Sequence, residues 1–109
     1  MKGYIGEFEE LVLLTVAVLG EDAYGVPIKQ EIENRATRTI SLGALHSTIA
    51  RLEEKGFLKS YLGGATHERG GRRKRYFQLT QGGKAALRDI KNLRDELWKD
   101  SRINLELAS

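Results

Sequence analysis

Basic side chains are concentrated in one short stretch of the chain, residues 69–75. This stretch contains no acidic residue and five basic ones: Arg69, Arg72, Arg73, Lys74 and Arg75. Guanidinium and ammonium groups pair with phosphate oxygens, so a basic patch of this density is typical of a surface that binds a polyanion. The alternative is a charged loop that contacts only water, and His67 beside it is interpreted as such a solvated loop residue.

A helix with a polar outer face precedes the basic stretch. Ser41 can accept a hydrogen bond from a free N–H of the first turn, and Gly56 can adopt the left-handed conformation that ends a helix. The apolar residues recur at spacings of three and four, which predicts one stripe packed on a core: Leu42, Leu45, Ile49 and Leu52. The opposite face carries small and hydrogen-bonding residues: Gly43, Ala44, His46, Ser47, Ala50 and Arg51. Such a face suits a DNA major groove, which admits one helix, although an ordinary surface helix is the alternative.

Two short strands flank the basic stretch. Alternating residues over 58–63 predict the first strand, and residues 76–79 predict a second of similar character. Together they form a hairpin whose connecting loop carries the basic side chains.

Two further helices are predicted before Ser41. Residues 7–19 carry acids in the first turn and almost no polar face afterwards, so this helix should be buried on more than one side, one of which a partner subunit could cover. A buried strand is the less favoured alternative. The second helix opens at Tyr24 to Pro27, with Ile28 and Ile32 facing inward. Residues 36–40 then connect it to the helix at Ser41, as in a helix-turn-helix.

The last predicted helix begins at Thr80 to Gly83 and carries an apolar seam. The seam residues step by four, three and four positions as in a coiled coil: Ala86, Ile90, Leu93 and Leu97. A helix of about 20 residues spans roughly 30 Å, longer than a small core covers, so we expect it to pack on a second copy. The expected dimerisation residues are Leu11, Ala86, Ile90, Leu93 and Leu97. The tail over 102–109 either continues the helix or frays.

Composition excludes several classes of function. The chain has 109 residues, about one domain, a net charge of +3, two histidines and no cysteine. Without cysteine there are no disulfides, thiolate nucleophiles or thiolate metal ligands, and no nucleophile–base pair or metal set is recognisable. The apolar run over 11–19 is shorter than the ~20 residues of a membrane span, and glutamates precede it. We therefore expect a soluble, cytoplasmic non-enzyme without cofactor or metal.

Several short motifs follow one another in a characteristic order. They are Gly6-Glu-Phe8, Tyr24-Gly25, Ser41-Leu-Gly43-Ala-Leu45-His46, Arg51-Leu52-Glu53, Gly56-Phe57-Leu58, Arg75-Tyr76-Phe77 and Leu79-Thr80 with Gly83. In order and spacing they resemble the PadR family of winged helix-turn-helix transcriptional regulators, over nearly the whole chain. The resemblance implies a mainly α fold with a small two-stranded β-wing and with N- and C-terminal dimerisation helices. Residues 1–80 would form the DNA-binding domain, and residues 81–109 the dimerisation helix and tail.

The expected DNA-binding surface combines the third helix, the start of the second helix and the wing. Its residues are Tyr24, Ser41, Ala44, His46, Ser47, Arg51, Arg72, Arg73, Lys74 and Arg75. His46 and Ser47 are candidates for base or phosphate contacts, and Arg51 for phosphate. The wing cations suit phosphates or a narrow minor groove. Many family members carry tyrosine in place of His46 and a basic residue in place of Ala50, so the operator preference of this chain is its own.

Trp98 suggests regulation by a ligand. Some short members of the resembled family bind flat aromatic effectors between tryptophans of the two final helices, which implies an effector site here. Its expected residues are Phe8, Val12, Leu93, Leu97 and Trp98. The alternative is that Trp98 is only a residue of the dimer core.

The expected function is a homodimeric repressor that binds an inverted-repeat operator, because two-fold symmetric proteins match two-fold symmetric half-sites. The rival interpretation is a winged-helix protein-interaction module with only non-specific DNA affinity. Sequence preference and salt dependence distinguish the two.

Overall fold

The computed structural model describes residues 4–63 and 73–103. Its elements in chain order are α1 (Glu7–Leu19), α2 (Gly25–Ala36), α3 (Leu42–Glu54), β1 (Leu58–Leu62), β2 (Arg75–Leu79) and α4 (Gln81–Ser101), with a 3-10 turn at Gly20–Asp22. The two strands form one antiparallel sheet. The predicted fold class, mainly helical with a small two-stranded sheet, is confirmed.

α3 and α4 begin, and α3 ends, where local signals predicted. The Ser41 hydroxyl accepts a hydrogen bond from the Ala44 N–H at 3.0 Å and caps α3. Gly56 has a positive φ of 83° and ends the turn after α3. Thr80 caps α4 by accepting from the Gly83 N–H at 2.9 Å. These polar contacts satisfy backbone groups that helix ends leave without intrahelical partners.

The core lies between α1, α2, α3 and the sheet. Its buried apolar residues are Val12, Leu13, Val16, Ala23, Ile28, Ile32, Ile40, Leu45, Ile49, Leu52, Phe57, Leu58 and Phe77. The predicted stripe of α3 is therefore correct for its last three members but wrong for Leu42, which is 42% exposed. Leu42 belongs to the first turn of α3, and Thr48 is buried on the inner face instead.

The expectation that α1 is buried on more than one side is not met within one chain. Val12, Leu13 and Val16 are buried, whereas Leu14 and Val18 on the other side are exposed. A single chain thus covers one face of α1 and leaves an apolar face open.

The sheet is joined to the beginning of α2. β1 and β2 pair with Leu58 opposite Leu79 and Tyr61 opposite Tyr76. Tyr24 forms an isolated antiparallel bridge with Tyr76, and the Phe77 N–H donates to the Ala23 carbonyl at 2.8 Å. The residues that enter α2 therefore extend the sheet by one short segment and fix β2 beside the helix-turn-helix.

α4 begins on the core and then leaves it. A Cβ atom at Gly83 would lie 3.1 Å from the carbonyl carbon of Phe57 and closer still to its oxygen, so the absence of a side chain permits this contact. Further along the helix, Leu93, Leu97 and Trp98 are 57%, 58% and 52% exposed. α4 ends at Ser101, and residues 104–109 of the predicted tail lie outside the described residues.

Candidate nucleic-acid interface

Three separate segments meet beside the first turn of α3 and enclose a hollow of about 250 Å³. Its lining residues are Tyr24, Gly25, Val26, Leu42, His46, Lys74, Arg75 and Phe77. Four of the predicted DNA-binding residues, Tyr24, His46, Lys74 and Arg75, are thus brought together from three parts of the chain. The fold places the beginning of α2, the beginning of α3 and the basic residues at the beginning of β2 on one surface.

The outer face of α3 carries short side chains. Ser41, Ala44 and Ser47 are exposed, and so is His46. A Cβ atom at Gly25 would lie 3.5 Å from Cε1 of His46, so the imidazole sits close to the backbone of α2. Backbone of another molecule can approach such a face closely.

The first turns of both α2 and α3 carry no acidic residue. The N-terminus of a helix bears a partial positive charge from its free N–H groups, and an acid in the first turn would offset that charge. At this surface the two helix ends therefore add to the positive charge of Lys74 and Arg75.

Lys74 is held against Tyr24. Its Nζ donates to the Tyr24 hydroxyl at 3.3 Å and lies 4.4 Å from the centre of the Tyr24 ring, within the range of a cation–π contact. These contacts fix the ammonium group next to the beginning of α2.

The other wing cations differ in their surroundings. Arg75 donates from Nη1 to the Ser60 hydroxyl at 2.8 Å across the hairpin, and its side chain is exposed. Arg73 is exposed as well. Arg69 and Arg72 lie outside the described residues, as does His67.

Arg51 lies farther along α3 and is directed partly toward α1. Its Nε is 3.5 Å from a carboxylate oxygen of Glu9, and its Nη2 donates to the Thr48 hydroxyl at 3.1 Å. The Arg51 side chain is still about half exposed. Arg51 is therefore accessible, but it is shared with an internal carboxylate.

Glu9 connects α1 to α3 through several contacts. Its carboxylate accepts from the Gly6 N–H at 2.8 Å and from the Lys55 Nζ at 2.9 Å, in addition to the Arg51 contact. Burial raises the pKa of Glu9, but the hydrogen bonds from Gly6, Lys55 and Arg51 and the charge of Lys55 outweigh it, so the pKa lies below its ordinary value. Sequence reasoning treated Glu9 only as a first-turn acid. Its spacing of three from Gly6 could have indicated the cap, but nothing local indicated Lys55.

Trp98 lies on a groove of about 610 Å³ between α1 and α4. The groove is lined by Glu10, Leu14, Lys84, Leu87, Arg88, Lys91, Arg94, Asp95 and Trp98. Arg94 donates to Glu10 at 3.1 Å and ties the two helices together. Leu97 and Trp98 also share a smaller hollow with Ile103.

The other predicted effector residues lie elsewhere in the single chain. Val12 is fully buried in the core. The Arg38 guanidinium lies over the Phe8 ring, with its Cζ atom 5.1 Å from the ring centre. Leu93 lines a separate hollow with Ile90. Among the predicted dimerisation residues, Leu11 and Ala86 pack partly on the core. Ile90 is half-buried, and Leu93 and Leu97 are exposed.

Two other features bear on function. Among residues 4–63 and 73–103, no group of three or more histidine, aspartate or glutamate side chains could hold a metal ion. Within the same part of the chain, no helix has the length and apolar character needed to cross a membrane.

Comparison with known proteins places the chain in a family. The model of the Transcriptional regulator PadR-like family matches residues 13–89. An uncharacterized protein of Lysinibacillus sphaericus is 33% identical over 87 residues, which cover 78% of this chain and 75% of that protein.

Solved structures show the same similarity. A PadR-like transcription factor from Bacteroides fragilis superposes with a TM-score of 0.70 at 23% identity, covering 86% of this chain and 85% of that one. A PadR family transcription regulator from Clostridium difficile gives a TM-score of 0.62 at 27% identity, covering 84% of this chain and 92% of that one. The chain belongs to the PadR-like family of transcriptional regulators, and is thus a DNA-binding regulator and not an enzyme.

Proposed function

We propose that this regulator binds an inverted-repeat operator as a homodimer in the cytoplasm and represses transcription by blocking access of the polymerase. The observation that carries the proposal is the convergence of Tyr24, His46, Lys74 and Arg75 beside the N-terminus of α3. In this proposal residues 1–80 read DNA and residues 81–109 hold the dimer together.

The N-terminal half of α3 enters the major groove in this proposal. Its short side chains let the helix approach the base edges, where His46 and Ser47 make hydrogen bonds. Ser41 and Ala44 lie at the beginning of α3, where the partial positive charge of the helix N-terminus attracts phosphate.

The basic residues before and at the beginning of β2 supply the electrostatic part of the affinity. Arg73, Lys74 and Arg75, together with Arg72, contact phosphates on either side of the groove, and Tyr24 donates its hydroxyl to a phosphate. Arg51 adds a phosphate contact with the exposed part of its guanidinium. Such contacts position a protein on DNA without reading the sequence.

Two apolar faces that the single chain leaves open support the homodimer. One is the outer side of α1 with Leu14 and Val18, and the other is the second half of α4 with Leu93, Leu97 and Trp98. Large exposed apolar patches mark interaction surfaces. A second copy would cover both faces around a two-fold axis, and the two α3 helices would then face two inverted half-sites.

Selection of bound duplexes from a random DNA pool at roughly physiological salt tests the proposal. We expect an enriched inverted repeat, preferred over random duplex by roughly a thousandfold or more. Its half-site spacing gives the distance between the α3 helices. Weak, sequence-blind binding that disappears when salt is added would instead support a protein-interaction module.

Two substitutions separate reading from electrostatic contact. His46→Ala should change the preferred sequence, because it removes a hydrogen-bonding group from the face of α3. Arg73→Ala should weaken binding to all sequences and lower the salt slope by about one unit for the lost phosphate contact. An unchanged preference in the His46 variant would contradict its assignment to base reading.

The proposal includes release by a planar aromatic effector in the groove beside Trp98. A volume of about 610 Å³ suits a small ligand, and the groove combines Leu14, Leu87 and the indole with several cations. An effector acts only if it binds one arrangement of the dimer better than another. Trp98 is the one tryptophan of the chain, so quenching of its fluorescence by a panel of planar ligands reports binding directly, and the absence of quenching across the panel would end this part of the proposal.

A further inference from the structure

Three tyrosine rings lie in a row where the wing meets the helix-turn-helix. Tyr24 and Tyr76 meet edge to face with ring centres 5.4 Å apart, and Tyr76 and Tyr61 stack with centres 5.6 Å apart. The three residues belong to the beginning of α2, to β2 and to β1. Aromatic pairs of this kind contribute about 0.5–1.5 kcal/mol beyond the area they bury.

Tyr76 occupies the middle of the row and connects three segments. It is paired with Tyr61 in the sheet and bridged to Tyr24 through the backbone. The hairpin ladder continues one step beyond β1, because the Gly63 N–H donates to the Lys74 carbonyl at 2.8 Å. Lys74 and Tyr76 are two positions apart in the chain, and both side chains contact the Tyr24 ring.

Gly63 leaves the space that the Tyr76 ring occupies. A Cβ atom at Gly63 would lie 2.9 Å from Cδ1 of Tyr76 and closer still to Cε1. The backbone of Gly63 does not have a positive φ, so what glycine provides here is space for the ring and not a left-handed conformation. A side chain at position 63 would overlap the ring where it now lies, so we expect the ring to shift out of the row.

The ring of Tyr24 contacts both Tyr76 and Lys74. Tyr76 therefore supports the aromatic surface on which the Lys74 ammonium rests, 4.4 Å from the Tyr24 ring centre. We propose that Tyr76 is a positioning residue for DNA binding, which sets the place of Lys74 and of the beginning of β2 relative to α3 without itself contacting DNA. This inference rests on the proposed DNA-binding surface.

Two unrelated substitutions displace the ring and should have the same effect. Tyr76→Leu removes it, and Gly63→Ala adds one methyl group in its place. We expect each variant to keep the circular dichroism spectrum of the wild type but to bind the selected operator roughly tenfold more weakly. Each should also have a salt slope lower by about one unit, as for the loss of one lysine–phosphate contact. Tyr76→Phe keeps the ring and should bind as the wild type does.

A double variant tests whether the two changes act through one contact. In the Tyr76→Leu background, Gly63→Ala should cause no further loss of affinity, because the ring that the methyl group would strike is absent. Tyr4→Leu makes the same chemical change at an exposed tyrosine before α1 and serves as the matched control, with wild-type affinity and salt slope expected.

The outcomes separate this inference from the function on which it rests. If the wild type enriches no sequence from the random pool, the proposed function fails. Suppose instead that the wild type binds a specific operator, and that Tyr76→Leu and Gly63→Ala lower the melting temperature but bind with the salt slope of the wild type. The role of Tyr76 is then only structural, and the inference is overturned. Additive losses in the double variant would overturn it as well.

Discussion

Replacement of Glu9 with glutamine removes one negative charge from the junction of α1 and α3 while keeping the shape of the side chain. The Glu9 side chain is only 8% exposed and lies between Lys55 and Arg51. A hydrogen bond to a charged group contributes about 1.5–3 kcal/mol, and removal of one partner of a fully buried ion pair costs about 3–5 kcal/mol. The side chains of Lys55 and Arg51 remain 26% and 55% exposed, so both cations keep contact with water. The loss of stability on removing the Glu9 charge should therefore lie in the range for one charged hydrogen bond and below the range for a fully buried ion pair.

We therefore expect Glu9→Gln to lower the free energy of unfolding by about 2 kcal/mol at pH 7, which corresponds to a fall in melting temperature of roughly 8–16 °C for a domain of this size. Thermal and urea unfolding followed by circular dichroism at fixed protein concentration measures both quantities.

The same contacts make the difference in unfolding free energy between wild type and Glu9→Gln depend on pH. The pKa of Glu9 in the folded chain lies below the ordinary value of 4.5, because its hydrogen bonds and Lys55 outweigh the effect of burial. A carboxyl group with a lowered pKa stabilises the fold fully above its unfolded pKa, and this stabilisation is lost as the pH falls through the folded pKa. The difference in unfolding free energy between wild type and Glu9→Gln should thus be constant near neutrality and become smaller below pH 4.5.

Glu7→Gln is the matched control. Glu7 lies in the same first turn of α1, so its negative charge interacts with the helix dipole as that of Glu9 does. Its side chain, however, is 72% exposed and pairs with Arg38 at 3.2 Å. An exposed pair of this kind contributes at most about 1 kcal/mol. The stabilising role of the buried Glu9 carboxylate would be refuted if the two variants were equally destabilised. It would also be refuted if the difference in unfolding free energy between wild type and Glu9→Gln were unchanged at pH 3.

Three further substitutions test other parts of the fold. Gly83→Ala should cost about 2 kcal/mol in thermal unfolding, since its methyl group would overlap the Phe57 carbonyl, while Gly82→Ala beside it should cost less. Ser41→Ala should lower the unfolding free energy by about 1 kcal/mol through loss of the cap. Leu97→Lys should convert the proposed dimer into a monomer, which the sedimentation coefficient measures. The helix content should not change, because the Leu97 side chain is exposed in the single chain.

Much of the fold could be predicted because its signals are local. The apolar period and the first-turn acids predicted α1 at its observed bounds, Glu7–Leu19. Ser41 and Thr80 cap helices as their types and positions predicted. A cap depends on contacts within three or four residues, so the sequence contains all the information that it requires.

The parts that could not be predicted depend on distant pairs or on where a helix leaves the core. Lys55 and Glu9 are 46 positions apart, and Lys74 and Tyr24 are 50 apart, so no local pattern relates them. Helical period likewise placed Leu42 on the inner face. The spacing of apolar residues gives the face of the helix on which a side chain lies. It does not show whether neighbouring elements cover that face along its whole length.

α1 connects the groove beside Trp98 to the proposed DNA-binding surface. Its neighbouring acids bind opposite partners: Glu9 holds Lys55 at the end of α3, and Glu10 holds Arg94 of α4 at 3.1 Å. A ligand beside Trp98 that moves α4 relative to α1 therefore acts on the element to which α3 is fastened. Because core packing and Glu9 hold α1 and α3 together, such a ligand should change the spacing between the two α3 helices of a dimer and leave the reading face intact. In the proposed mechanism, an effector thus alters the preferred half-site spacing in competition binding while the preferred bases within each half-site stay the same.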